Sequence, residues 1–153
     1  MIFHNTIKWV AEELKADRND TIHDLLAYLA EQMIEMNKKK NEEIKDFLRW
    51  LEREVEVGIE SLSNKTAIKE YHEHDFKYFL EILKKNKRSI PIDPSDRKTQ
   101  ELFERHFTKS MSVLEPLKAK IKNTDNLIDE IVYRLYGLND DETRIVTRNA
   151  EDF

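Results

Sequence analysis

The chain has 153 residues, about one domain's worth, with 39% hydrophobic and 37% charged residues and only two glycines and three prolines, a balance that favours long solvated helices over sheets. Its net charge of −5 excludes a strongly basic nucleic-acid binder, so any contact with DNA has to be local. The absence of cysteine excludes disulfides and thiolate metal sites, and no apolar run approaches the roughly 20 residues that span a bilayer, so the expectation is a cytoplasmic protein without membrane contact.

In chain order, Phe3, Ile7, Val10 and Leu14 recur at helical spacing and predict a short helix over 3–16, interrupted by ADRND. Asp20 is placed to cap a long second helix, whose stripe runs through Ile22, Leu26, Leu29, Met33 and Met36 and resumes at Ile44, Leu48, Leu51 and Val55. At 1.5 Å per residue this rod is roughly 50 Å long. Between its halves, NKKKNEE carries no apolar residue and the seam lapses. Gly58 is expected to end the rod, followed by a turn-rich connector, SLSNKT.

A third, aromatic-rich helix is expected through Ile68, Tyr71, Phe76, Phe79, Leu80 and Leu83, stopping near Arg88. RSIPIDPSD, with two prolines three residues apart, cannot continue a helix and reads as a hinge. From Leu102 to Leu135 apolar residues return at alternating steps of three and four, as in a coiled-coil seam. Pro116 lies inside this seam, so a kink or a new helix start is expected there, with Ser112 and Glu115 as its capping box. The end, NDDETRIVTRNAEDF, reads as a cap, a short helix and a frayed tail.

The expected fold is all-α: long antiparallel helices forming a coiled-coil-like hairpin or bundle, closed within one chain or completed by a second copy. The arms are an N-terminal one over 1–88, a proline-containing hinge over 89–97 and a C-terminal one over 98–153, together one compact domain.

His72 and His74 are two residues apart, about 200° on a helix, so one face cannot present both to a metal, and the i, i+4 zincin spacing is missing. His4, His23 and His106 are isolated. An acid and a lysine two residues apart, as in many restriction nucleases, occur at Glu13 and Lys15, Glu43 and Lys45, Asp75 and Lys77, and Asp96 and Lys98. Only the last pair has prolines and another acid nearby, and it lacks the strand such a site is built on. No catalytic or metal-binding residue is therefore assigned. Lys38, Lys39 and Lys40, and Lys84, Lys85, Lys87 and Arg88, are local basic clusters that could neutralise DNA phosphates, or serve as solvated helix ends. Trp9 and Trp50 sit on apolar stripes and are expected as core anchors.

The stretch TDNLIDEIVYRLYGLNDDETRIV, residues 124–146, resembles the C-terminal signature of the large Type II (Type IIG) restriction-modification adenine-specific DNA methyltransferases. It matches that pattern at Thr124, Asp125, Ile128, Asp129, Val132, Tyr133, Leu135, Tyr136, Gly137, Leu138, Glu142, Ile145 and Val146. IHDLLAYLAEQMIEMNKKKNEEIKDFLRWLE, SNKTAIKEYHEHDFKYFLEILKKNK and KSMSVLEPLKAKI look like the same proteins, so the resemblance runs from about Thr21 to Val146.

In helical terms Gly137 fits as the left-handed residue after a helix, Leu138 can pack back on the last turn, and Asn139 to Glu142 can cap the next helix. Ile128, Ile131, Val132 and Leu135 give a buried face flanked by Tyr133 and Tyr136. The family's methyltransferases bind S-adenosylmethionine at a glycine-containing loop and place adenine with an Asn-Pro-Pro-Tyr type motif; this chain has neither, its nearest match being Asp93-Pro94-Ser95. The resemblance thus implies a helical part without catalysis or cofactor, from an excised domain or a split gene. Such a part would space, pack against or dimerise the methyltransferase and target-recognition parts on DNA, with a homo-oligomer expected. The alternatives are a stand-alone helical homodimer with an interaction or regulatory role, and a small metal-dependent nuclease using Asp96 and Lys98.

Overall fold

The computed structural model describes residues 2–16 and 18–137. Every regular element among them is helical: α1 (Ile2–Lys15), α2 (Asn19–Val55), α3 (Lys65–Lys69), α4 (Phe76–Lys85) and α5 (Arg97–Leu135), with single 3₁₀ turns at Ile59–Ser61 and Tyr71–Glu73. The expected all-α class is therefore observed. The chain forms two compact units, one made of the residues up to Asn37 with those from Ala119 onward, the other of Lys38–Lys118. The division falls inside α2 and α5, each of which supplies residues to both units.

The 38–118 unit is built on aromatic packing. Phe47 of α2 lies 4.0 Å from Tyr71, 5.8 Å from Phe79 of α4 and 6.4 Å from Phe107 of α5, centroid to centroid, so one ring joins three helices and the turn between them. Phe47 meets Phe107 while Trp50 meets Phe103, so within this unit α2 and α5 run antiparallel. Leu51, Ile68, Leu83, Phe103 and Leu114 are fully buried around this cluster. The Tyr71 hydroxyl bonds the Ser110 hydroxyl at 2.7 Å, and burial pushes its pKa up to about 12.

Several local expectations are corrected. The aromatic-rich helix is broken in three, because Asp75 accepts from the Tyr78 amide at 2.8 Å and starts α4 afresh, while Tyr71–Glu73 turns to bury Tyr71. Consequently His72 and His74 do not lie on an α-helix at all. The left-handed residue that ends α2 is Glu56, with φ of 54°, whereas Gly58 is extended at φ −65°. Buried Val55 and Ile59 on either side hold Glu56 in a conformation that costs roughly 1 kcal/mol for a side chain with a Cβ.

At Pro116 α5 neither stops nor restarts. The carbonyl deprived of its partner is that of Ser112, and both Ser112 and Pro116 face solvent, where water can satisfy it. The Ser112 hydroxyl donates to the Lys109 carbonyl at 2.6 Å, so it bonds within the helix and does not cap a new one. Asp20 lies in the first turn of α2, one residue inside its start at Asn19.

The connector segments are tied down by side-chain amides and carboxylates. Asn86, 3% exposed, accepts from the Ser63 amide (2.9 Å) and hydroxyl (3.0 Å) and donates to the Ser63 carbonyl (3.1 Å) and the Ile82 carbonyl (2.9 Å). It thereby closes the end of α4 and pins the 58–64 segment to it. In the expected hinge, Ile90 and Pro94 are buried, Asp93 accepts from the Ser95 amide, and Asp96 caps α5 through the Thr99 amide at 3.1 Å.

The other unit has a smaller core, Val10, Ile22, Leu29, Leu127 and Ile131, with Ile7, Leu14 and Leu26 packed against it. Its α1 is joined to α2 by Glu13, which accepts from Arg18 Nε at 2.6 Å and Nη2 at 2.8 Å and from the Thr21 hydroxyl at 3.1 Å. The Arg18 guanidinium holds the Glu13 carboxyl below the usual carboxylate range, with Thr21 adding to it.

Two outcomes follow from this packing. Asn86→Ala strands the Ser63 amide and carbonyl and should lower stability by about 2–3 kcal/mol in urea unfolding, whereas Asn86→Asp, which keeps the acceptor, should cost less. Since the folded Glu13 pKa is depressed, the clasp stabilises above the unfolded carboxylate pKa and is lost as pH falls through the lower folded value. Melting curves of Glu13→Gln should accordingly show a lower Tm than the parent at neutral pH and a difference that shrinks on acidification.

Candidate functional site

The C-terminal end of α5 carries the first part of the 124–146 pattern. Ile131 is fully buried, Leu127 is buried, and Ile128, Val132, Tyr133 and Leu135 are half-buried. The helix stops at a left-handed Gly137, φ +71°, whose amide donates to the Arg134 carbonyl at 3.0 Å. A Cβ built on Gly137 meets nothing within 4 Å, so glycine is required there by backbone conformation and not by crowding. Tyr136 is 76% exposed and does not flank the buried face as expected. Leu138 and Asn139 to Glu142 lie outside the described residues.

Leu127, absent from the pattern's buried face, is the neighbour the sequence reading missed. It is one of the wall residues of an open groove of about 700 Å³ in the same unit, lined on the apolar side by Phe3, Leu29, Met36 and Leu127, with Gln32, Lys120 and Asn123 at its polar edge. Along the helix Asp129 is pushed up by partial burial, with Asp125 and Glu130 adding their negative charge. Phe3, Trp9, Tyr28, Ile34 and Tyr136, five of the seven large hydrophobic residues that are exposed among the described ones, belong to this unit. Trp9, 37% exposed, is therefore not the core anchor expected of it.

The seven basic residues all fall in or next to α2 and α4. Lys84, Lys85, Lys87 and Arg88 are exposed at the C-terminal end of α4, beside Asn86, and Lys38 and Lys39 are exposed while Lys40 is half-buried. None of the seven forms an ion pair among the described residues. The two clusters do not converge. Asn86 bonds Ser63, just beyond the end of α2, whereas Lys40 acts electrostatically on His72 and Glu73, about 20 Å of helical rise back along α2.

Elsewhere the plainer roles are occupied. Asp96 spends its carboxylate on the Thr99 amide and hydroxyl, and Asp75 on the Tyr78 amide. No group of three or more histidines and acids that could hold a metal occurs among the described residues. Trp50 is half-buried, with His106 stacked on one face at 3.9 Å and 14° and Phe103 edge-on at 5.5 Å. His74 packs on Tyr78 at 4.3 Å. No helix among the described residues is long and apolar enough to cross a membrane.

No curated protein and no solved structure matches the chain. One family model does, over residues 11–132, which takes in the end of α1, all of α2 to α4, and α5 up to its last turn before Gly137. The chain belongs to the family described as a domain of unknown function, DUF8810.

Proposed function

We propose that this chain is a helical spacer and assembly module of a DNA restriction-modification methyltransferase system, cytoplasmic and without chemistry of its own. The observation that carries the reading is the agreement between the 124–137 part of the pattern and the local geometry: a helix with Ile131 buried that ends on a left-handed Gly137. Long helices suit a spacer, since α2 and α5 each extend for more than 35 residues, over about 55 Å. The unit that carries the pattern also carries most of the exposed large hydrophobic residues, as a surface that packs on the methyltransferase or target-recognition parts would. Lys84, Lys85, Lys87 and Arg88 form no ion pair among the described residues and are available to a DNA backbone passing that side of the 38–118 unit.

The same exposed residues favour a second reading, a stand-alone homodimer that buries them against its own copy. Mass in solution with and without a methyltransferase subunit separates the two: association with that subunit, whatever the chain's own oligomeric state, supports the first, and a tight dimer indifferent to it supports the second.

DNA binding measured at two salt concentrations tests the backbone contact. The wild type should weaken with salt, each phosphate contact contributing about 0.9 to the slope of log K on log salt. Replacing Lys84, Lys85, Lys87 and Arg88 together by Gln should flatten that slope, and absence of binding at low salt would remove DNA from the reading. At the helix end, Gly137→Ala should cost about 1 kcal/mol of stability through backbone strain, and Gly137→Asn less, because asparagine tolerates the left-handed region. Equal stability of all three proteins would show that the left-handed stop is dispensable.

A further inference from the structure

The turn at Tyr71–Glu73 is fastened to α5 at two points of different chemistry. The first is the bond between the Tyr71 and Ser110 hydroxyls, neutral and deeply buried. The second is Lys118, whose ammonium lies 3.0 Å from the His72 carbonyl oxygen, 3.1 Å from Glu73 Oε1 and 3.4 Å from His72 Nδ1. His72 Nδ1 is in turn 3.2 Å from the same Glu73 oxygen. The His72 side chain is 10% exposed and that of Lys118 23%, while Glu73 is 53% exposed, so the imidazole and the ammonium are the shielded members of the group.

With the imidazole neutral and its proton on Nε2, all three protons of the Lys118 ammonium find acceptors. An ammonium has three protons to donate, and around Lys118 the acceptors are the His72 carbonyl, the Glu73 carboxylate and, when the imidazole carries its proton on Nε2, the Nδ1 lone pair. Protonation of the ring places a hydrogen on Nδ1, turns it into a donor to Glu73, removes the third acceptor and sets two cations 3.4 Å apart. We propose that His72, Glu73 and Lys118 form a proton-operated clasp, closed while the imidazole is neutral and opened by its protonation, that fastens the turn preceding α4 to α5.

The surrounding charges act on the same group from each side. Burial is the main cause that pushes the His72 pKa below its ordinary value; Lys118 on α5 and Lys40 on α2 act in the same direction, and Glu73 and Glu70 on its own segment oppose them. The folded protein thus holds fewer protons at His72 than the unfolded chain. Its stability is complete above the ordinary histidine pKa of about 6.5 and declines as pH falls from there towards the lower folded value. Tyr71, whose phenol stays neutral throughout that range, keeps its bond to Ser110, so opening is confined to residues 72–75.

The test is made on the full chain by following the imidazole signals and the amide hydrogen exchange of residues 71–75 by NMR between pH 8 and 5. The clasp requires His72 to titrate below the ordinary histidine value, with exchange protection of residues 72–75 falling about tenfold over the same range while α5 stays protected. Lys118→Met should move the His72 titration upward, and His72→Gln should abolish the pH step in protection. Protection that does not follow His72 titration, or a His72 titration unmoved by Lys118→Met, would overturn the proposal. If His72→Gln does not fold, the wild type and Lys118→Met decide the matter between them.

Discussion

The position of the Phe47 ring is the constraint on which the 38–118 unit depends. It touches Tyr71, Phe79 and Phe107, and those three residues come from the turn, α4 and α5. Two long helices with seams made mainly of leucine and isoleucine could slide against each other by a turn at small cost. Large flat rings in edge and tilted contact cannot, because their shapes and quadrupoles match in one arrangement only. The other restraints of this unit, such as the Tyr71 bond to Ser110 and the amide of Asn86 on Ser63, add to that arrangement.

Much of the helical skeleton was legible in the sequence because its signal is a long repetition. The stripes of α1, α2 and α5 persist for many turns, and periodicity of that length leaves strand or loop readings no room. What sequence did not disclose was decided by tertiary packing over one or two residues. Ile68 to Leu83 has a continuous helical stripe, yet Asp75 offers a cap and Tyr71 a buried partner on α5, and the pair outweighs continuing the helix. Pro116 has the opposite history: local chemistry says stop, and burial of Leu114 with solvent at the Ser112 carbonyl lets the helix pass. Glycine likewise misled at Gly58, where Glu56 takes the left-handed conformation, and guided correctly at Gly137.

The candidate surfaces were legible as composition but not as geometry. Both basic clusters stood out as runs of lysine, and no property of a run says that one end sits by Ser63 and the other by His72. The acid and lysine pairs gave no metal site in the sequence, and what Asp75 and Asp96 do instead, closing helix starts through the Tyr78 and Thr99 amides, is visible only in the structure. The clasp of Lys118 on His72 and Glu73 joins residues 46 positions apart, and no spacing rule could have brought them together.

The two tryptophans have a consequence of a different kind. The chain has only Trp9 and Trp50, and they fall one in each compact unit. Trp9 is 37% exposed, and Trp50 is half-buried with a histidine ring stacked on it and Phe103 edge-on, so the two indoles have different neighbours. Each unit therefore carries its own intrinsic fluorophore. With one indole replaced by phenylalanine at a time, emission spectra would report separately on the two halves, and any mismatch between their denaturation midpoints would reveal how far the halves behave as one cooperative body.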